Sequence, residues 1–470
     1  MVDSILQKSR VRIDFSRYRE DNVITEYCPI KTVYVNQLAA NNPLEDRWNV
    51  GFVQVDGVVS SFLFSVIDGH SGPACSHTVA WALLDYLGAS LLKAQKVSAV
   101  LEQLENYPPN QPYHIARRLD FVGEDGRRGY AASPPASQMR AFMKQSLKSY
   151  LKYIESKGDR DIDPVACLTE ACLRLDTDLC SLGHENGGAD LKPAEFFSDK
   201  VLNRDLLHVL LSGAVGTAGR IFWHNADTVQ NQTPDIDLHI ANVGDCAAAL
   251  FSATDGVLVG EMLTRPHQPA VNVEEAQRLA AEHPHEPIGS ILRNGGRLLG
   301  ELAPSRAFGD VRYKWPADRI LELIRHMGVE APTRGTVMTS GPWAGLQPLP
   351  EPYLSPPYLT ARPEISVLNL TPDKKFLVLA TDGLWDVVSV KDASKALSNL
   401  QPDECPATTL LKMALTTMPP QMAKVLNSTG ELDESLKMRH AASLLSLPPG
   451  VARYYRDDIT VMVVELTQPN

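Results

Sequence analysis

The stretch Ser61–Gly72, SFLFSVIDGHSG, decides how the rest of the chain is read. Phe62, Leu63, Phe64, Val66 and Ile67 make a short apolar run typical of a buried strand, and it ends abruptly at Asp68-Gly69-His70. Standing alone, Asp-Gly after such a run reads as a hairpin turn. The arrangement recurs, however. Phe376–Ala380 runs into Thr381-Asp382-Gly383-Leu384-Trp385-Asp386, and Leu238–Val243 runs into Gly244-Asp245. Arg456-Asp457-Asp458 leads into the apolar run Ile459–Val464, and Glu45-Asp46 precedes an expected strand at Asn49–Val55. Buried strands seldom end in so many acids without a counter-charge, because a carboxylate loses its hydration on burial.

Hard carboxylate oxygens with no clustered His or Cys suit Mg²⁺ or Mn²⁺. If these acids converge, the natural reading is a two-metal hydrolytic site that activates a bridging water and clamps the oxygens of an anionic substrate. His70, two residues after Asp68, is then placed to protonate a leaving alkoxide.

At 470 residues the usual domain length suggests two or three domains, yet the acids run from Glu45 to Asp457. One site drawing on nearly the whole chain favours a single large domain with insertions. A net charge of −11 argues against bulk binding of nucleic acid or of an anionic membrane surface. The cysteines (Cys28, Cys75, Cys167, Cys172, Cys180, Cys246 and Cys405) are odd in number and form no CxxC pair, which fits reduced thiols better than a disulfide framework. None has an arginine six positions on, so the thiol loop of cysteine phosphatases is absent. No apolar run reaches the length of a membrane span. Asp3, Asp14 and Glu20 interrupt the basic N-terminal stretch, which does not read as a transit peptide.

Residues 1–29 read as an N-terminal arm and residues 30–467 as one catalytic domain, with loop insertions near 106–137 and 328–357. A first strand is expected near Thr32–Val35, with helices at Pro73–Lys93, Gln138–Glu155, Pro164–Leu182, Val273–Glu282, Ala393–Leu400, Thr408–Thr417 and Asp433–Leu445. Asp159, Asp161, Asp163 and Glu170 have the spacing of an EF-hand loop, but Pro164 stands where that loop needs glycine. Asp163 capping a helix opened by Pro164 is the better reading. The small residues Gly213, Ala214, Gly216 and Gly219 are expected to let two sheets approach closely. His77 receives no role. Strands at both ends with helical runs between them imply an α+β sandwich rather than βαβ units.

Taken together, DGHSG at Asp68–Gly72, SRAFGD at Ser305–Asp310, ATDGLWDVV at Ala380–Val388 and RDDITVMVV at Arg456–Val464 resemble the type 2C family of metal-dependent serine/threonine protein phosphatases. The resemblance implies an α+β fold, a β-sandwich of two antiparallel sheets flanked by α-helices. It also implies two Mg²⁺ or Mn²⁺ ions between the sheets, with a third, weaker one. By motif, Asp68 would bridge two metals and Gly69 would offer its carbonyl. Glu45 and Asp46 match the acidic pair, Glu45 acting through water. Asp382 and Asp457 would complete the site, Asp245 and Asp386 would hold the third metal, and His70 matches the general acid. Many family members carry an arginine four residues before the first acid, where it contacts the substrate phosphate. Here that position is Asn41, with Arg47 as a possible substitute.

NQLAANNPLEDR at Asn36–Arg47, SPPYLTARPE at Ser355–Glu364 and LPPGVARYYRDDIT at Leu447–Thr460 resemble a subgroup of that family. Its members work in the mitochondrial matrix and remove phosphate from seryl groups of the pyruvate dehydrogenase component. The implied partners are that phosphorylated component, the lipoyl domain of the acetyltransferase core, and a regulatory subunit; calcium dependence stays open. The competing readings are a family member acting on another phosphoprotein and an inactive pseudophosphatase scaffold.

Overall fold

The computed structural model describes residues 2–467, apart from 56–57, 108–112, 123–127, 131, 159–161, 182–203, 224–234, 327–347, 419–432 and 449. Two sheets dominate, and every pairing within them is antiparallel. The first runs, in spatial order, Val11–Asp14, Ile30–Leu38, Ile459–Leu466, Lys374–Ala380, Ala247–Thr254 and Val257–Met262. The second runs Glu364–Asn369, Ile236–Val243, Gly213–Trp223, Val58–His70, Arg47–Val55 and Arg117–Arg118, with Phe308–Gly309 pairing onto Gly213–Trp223.

Side-chain alternation explains the layers. Along Val58–His70, Phe62, Phe64 and Val66 point into the space between the sheets, where they meet Val33, Val35, Leu250, Leu377, Leu379, Met462 and Val464. Leu63 and Ile67 point the other way, onto the helices Ala74–Ser90, Ser137–Ser156 and Pro164–Ser181. The first sheet repeats the scheme, with Val378, Ala380, Val461 and Val463 facing Val390–Ser398, Pro406–Thr416 and Glu434–Ser446. Phe62 and Phe64 are fully buried, and such burial contributes about 2 kcal/mol per side chain. This is the expected α+β sandwich of two antiparallel sheets flanked by helices.

Residues 2–20, expected to lie in an arm, contribute elements of the fold. Val11–Asp14 pairs with Ile30–Leu38, and Val2–Gln7 is a helix whose Val2 and Leu6 are buried against the helices of the first sheet. Phe15 is fully buried, edge-on to Phe52 at 5.4 Å and to Phe62 at 5.3 Å. The scattered apolar positions here are too few for a period, so their burial is not visible without the partners. Gly216 and Gly219 give room to Ile67 and Phe64 of the neighbouring strand in the same sheet rather than to an opposing sheet.

The insertion near 106–137 carries the edge pair Arg117–Arg118, whereas most of 328–357 lies outside the described residues. The same is true of Asp159 and Asp161; Asp163 accepts from the Val165 amide at 3.0 Å, as a helix cap does. Among the described residues no helix is long and apolar enough to cross a membrane.

Candidate active site

Register gathers the acids at one end of the sandwich. In the first sheet Ile459 sits opposite Leu38, and Ala380 opposite both Val461 and Ala247. The segments just beyond these residues, Asn41–Asp46, Asp457–Asp458, Asp382 and Asp245, therefore emerge at one edge. In the second sheet Asp68 pairs with Val215 and His70 with Gly213 at the same edge. Asp68 and His70 share the parity of Phe62, Phe64 and Val66, so both side chains face between the sheets. Gly69 has the opposite parity, and a Cβ there would stand 2.5 Å from Ser76 Oγ and 2.7 Å from the Glu45 carbonyl oxygen. Any larger residue would push the acidic segment away from the strand.

That acidic segment is tied down by Asp458. Its carboxylate accepts from the amides of Ala40 (2.5 Å), Asn41 (2.9 Å) and Glu45 (2.9 Å) and from Asn41 Nδ2 (3.2 Å). Glu45 Oε1 in turn accepts from the Gly72 amide at 2.5 Å, which joins the segment to the DGHSG turn. Asp46 is fully buried, and its Oδ2 accepts from Thr381 (3.0 Å) and Thr460 (2.8 Å), hydroxyls at the ends of two adjacent strands.

The electrostatics are those of crowded like charges. Burial, reinforced by the neighbouring Asp458, pushes the Asp46 carboxyl up to about 8. Burial followed by Asp245 and Asp386 pushes Asp382 up to about 7. Asp68 is held well above the ordinary carboxylate range by burial and then by Asp46, Asp382 and Asp245, and its carboxyl shares a hydrogen bond with Asp382. Glu45 is also raised, mainly by burial. Asp382 and Asp386 lie four residues apart across the short helix Asp382–Trp385, a spacing that sets both on one face. Asp245, from the turn that passes between the sheets, accepts from Gln268 Nε2 at 2.6 Å.

Two carboxylate oxygens in this cluster, Asp46 Oδ1 and Asp382 Oδ1, are buried with no hydrogen-bond partner among the described residues. A buried acceptor left without a donor is costly, and a cation satisfies it. The donors are all oxygen, the chemistry that Mg²⁺ and Mn²⁺ take. Among the described residues, no three acidic, histidine or cysteine side chains are drawn into a ready-made cage. The acids instead face one another across the strand ends, where Asp68 and Asp382 share a hydrogen bond.

His70 Nε2 lies 2.6 Å from Asp310 Oδ2. Burial alone would lower the imidazole, but the Asp310 carboxylate outweighs it and the group is raised, which favours the proton-carrying form. Asp310 has φ 53° and so sits in the left-handed region, and a Cβ on Gly213 would collide with both His70 and Asp310. The glycine thus makes room for the pair.

The remaining sequence candidates are placed as follows. Asn41 Nδ2 donates to Glu45 Oε2 (2.9 Å) as well as to Asp458. Arg47 Nη1 donates to the carbonyls of Leu44 (2.6 Å) and Asp46 (2.7 Å), clamping the backbone of the acidic segment. Asp457 is partly exposed and ion-paired with Arg453. Sequence reasoning gave no role to Asp458 or Asp310, although Asp458 stands beside Asp457 and Asp310 ends the SRAFGD motif. The other half of that motif is structural: Ser305 and Arg306 both bond to Glu275, at 2.5 Å each.

Comparison with known proteins finds similarity along most of the chain. Residues 138–400 match the protein phosphatase 2C family. The chain is 31% identical over 455 residues to the mitochondrial pyruvate dehydrogenase (acetyl-transferring) phosphatase 2 of Homo sapiens, covering 91% of this chain and 76% of that one. It is 31% identical over 465 residues to the mitochondrial phosphatase 1 of the same name from Bos taurus, covering 92% and 76%. A crystal structure of a serine-threonine phosphatase 2C from Toxoplasma gondii aligns over 97% of this chain and 99% of its own, with 15% identity and a TM-score of 0.46.

Proposed function

The chain belongs to the protein phosphatase 2C family of metal-dependent serine/threonine phosphatases, and from that premise we propose that it dephosphorylates seryl groups of the pyruvate dehydrogenase component in the mitochondrial matrix. The observation that carries the reading is the meeting of the orphaned Asp46 and Asp382 oxygens with Asp68 at the strand end that also presents His70. The substrate assignment is supported by the names of relatives that match along nine-tenths of the chain.

In this proposal Asp46, Asp68, Asp382 and Asp457, with Glu45 through water and the Gly69 carbonyl, hold two Mg²⁺ or Mn²⁺ ions, and Asp245 and Asp386 favour a third. Such ions, when bound, supply an activated water and neutralise the phosphate oxygens. The chain's own contribution is positional. Asp458 fixes the segment bearing Glu45 and Asp46, the strand parity aims Asp68 and His70 into the same space, and Asp310 keeps a proton on His70 Nε2. With the Nε2 proton held by Asp310, the charged ring gives its Nδ1 proton to the departing seryl oxygen, and with water as the nucleophile hydrolysis needs no phosphorylated enzyme intermediate. Docking through the lipoyl domain of the acetyltransferase core and control by a regulatory subunit belong to the same proposal, supported by the subgroup resemblance.

The test is phosphate release from the phosphorylated pyruvate dehydrogenase component and from an unrelated phosphoprotein, with Mg²⁺ or Mn²⁺ and with chelator. Metal-dependent preference for the former is expected. Equal rates would withdraw the substrate, and no rate on either would leave a scaffold.

A further inference from the structure

We propose that Arg453 binds the phosphoryl group of the substrate. The inference rests on the phosphatase reading above and names a residue for the step which that reading leaves without one.

A phosphate dianion approaching this site meets a surplus of carboxylates, so a cation at the mouth has to receive it. Among the described residues, Arg47, Arg453 and Arg456 contact the acidic segments. Arg47 spends Nη1 on the carbonyls of Leu44 and Asp46. Arg456 donates Nη2 to the Ala39 carbonyl at 2.6 Å and Nη1 to the Asp457 carbonyl at 3.2 Å. Both act as braces for backbone. Arg453 differs: its side chain is 45% exposed, its partner is the Asp457 carboxylate, and its charge acts on both Glu45 and Asp382. It thus stands within electrostatic reach of acids from two separate segments of the site while keeping a face toward solvent.

Its backbone is held in place. Arg453 occupies the one-turn helix Ala452–Tyr454, whose Ala452 is buried, and the Gly450 amide just before it donates to the Ala40 carbonyl at 2.8 Å. The guanidinium is therefore carried on the same framework as Glu45. A planar guanidinium meets two phosphoryl oxygens in a bidentate contact, which a point charge cannot reproduce. The neighbouring rings of Tyr454 and Tyr455 are 85% and 67% exposed, as befits a surface that a protein substrate crosses.

The test uses the full chain in Mg²⁺, comparing wild type with Arg453→Ala and Arg453→Lys. Inorganic phosphate binding is followed by calorimetry, and KM and kcat are measured with a phosphoserine peptide. Arg453→Ala is expected to weaken phosphate binding and raise KM by about ten- to a hundredfold, the range for a hydrogen bond to a charged group, with Lys recovering part. The Mg²⁺ concentration giving half-maximal activity should stay within about twofold of wild type. Unchanged phosphate binding, or a change confined to the Mg²⁺ dependence, overturns the proposal, since Arg453 would then be only a counter-charge for Asp457. A wild-type chain that binds phosphate without hydrolysing the peptide would instead overturn the phosphatase reading and leave this one standing.

Discussion

His70 Nε2 stands 2.6 Å from Asp310 Oδ2, so the candidate proton donor at one strand end is held by an acid 240 residues further along the chain. Removing that carboxylate acts on protonation rather than on substrate binding. Asp310→Asn is expected to lower kcat on a phosphoserine peptide by about a hundredfold, the low end for loss of a general acid. It should have little effect on p-nitrophenyl phosphate, whose leaving group needs no proton. Asp310 raises His70, so its loss moves the alkaline fall of kcat to lower pH. A pH–rate profile on both substrates checks this, and equal losses on both would contradict it.

The partnerless oxygens of Asp46 and Asp382 predict that metal stabilises the fold. At a hundred times the dissociation constant, Mg²⁺ or Mn²⁺ should add about 2.7 kcal/mol. A thermal melt with metal and with chelator reads this directly. Asp68→Asn should abolish the shift and nearly all activity, whereas Asn41→Ala, which loses hydrogen bonds to Glu45 and Asp458, should retain more of both.

Asp457 and Asp458 are adjacent but predicted to fail differently. Asp458 is buried and accepts from the backbone of Ala40, Asn41 and Glu45, so Asp458→Ala should cost about 3 kcal/mol in urea unfolding. Asp457, partly exposed beside Arg453, should cost under about 1 kcal/mol when replaced by Ala while reducing activity sharply. Similar stability losses for the two would contradict the division of roles.

The Glu275 cluster makes stability depend on acid. Burial would raise this carboxyl, but hydrogen bonds from Arg306, Arg278 and Ser305 outweigh it and hold the group far below its ordinary value of 4.5. A depressed acid stabilises above its unfolded pKa, and the stabilisation is lost as pH falls from there toward the folded value. Wild type should therefore lose stability below about pH 4.5 more steeply than Glu275→Gln, which is already weakened at neutral pH. Parallel pH dependence in the two proteins would show that the cluster does not carry the effect.

Much of the fold and the site could be read from residues, and the reason is local. The alternation in Ser61–Gly72 fixes which side chains enter the core, and the same parity sends Asp68 and His70 into the site. Helices such as Val273–Glu282 coincide with the expected span because apolar period and caps agree; Asn272 caps this one through the Glu274 amide. What was not legible depends on partners remote in sequence. Phe15 looks like a stray apolar residue until Phe52 and Phe62 surround it. Asp310 is only a turn acid until Gly213 leaves room for it beside His70. Asp458 reads as the spare member of an acidic pair until three amides from residues 40–45 point at it.

The strand order also sets when the site can come into being during synthesis. Ile459–Leu466 lies between Ile30–Leu38 and Lys374–Ala380, so a strand far along the chain from Ile30–Leu38 fills an interior slot of the first sheet. Until it arrives, Ile30–Leu38 and Lys374–Ala380 have no common neighbour, and the loop bearing Glu45 and Asp46 lacks the carboxylate that anchors it. A chain halted before residue 458 lacks both Asp458 and the strand that follows it, and so has no assembled acid cluster. The site thus waits on Ile459–Leu466 taking its place between its two neighbours.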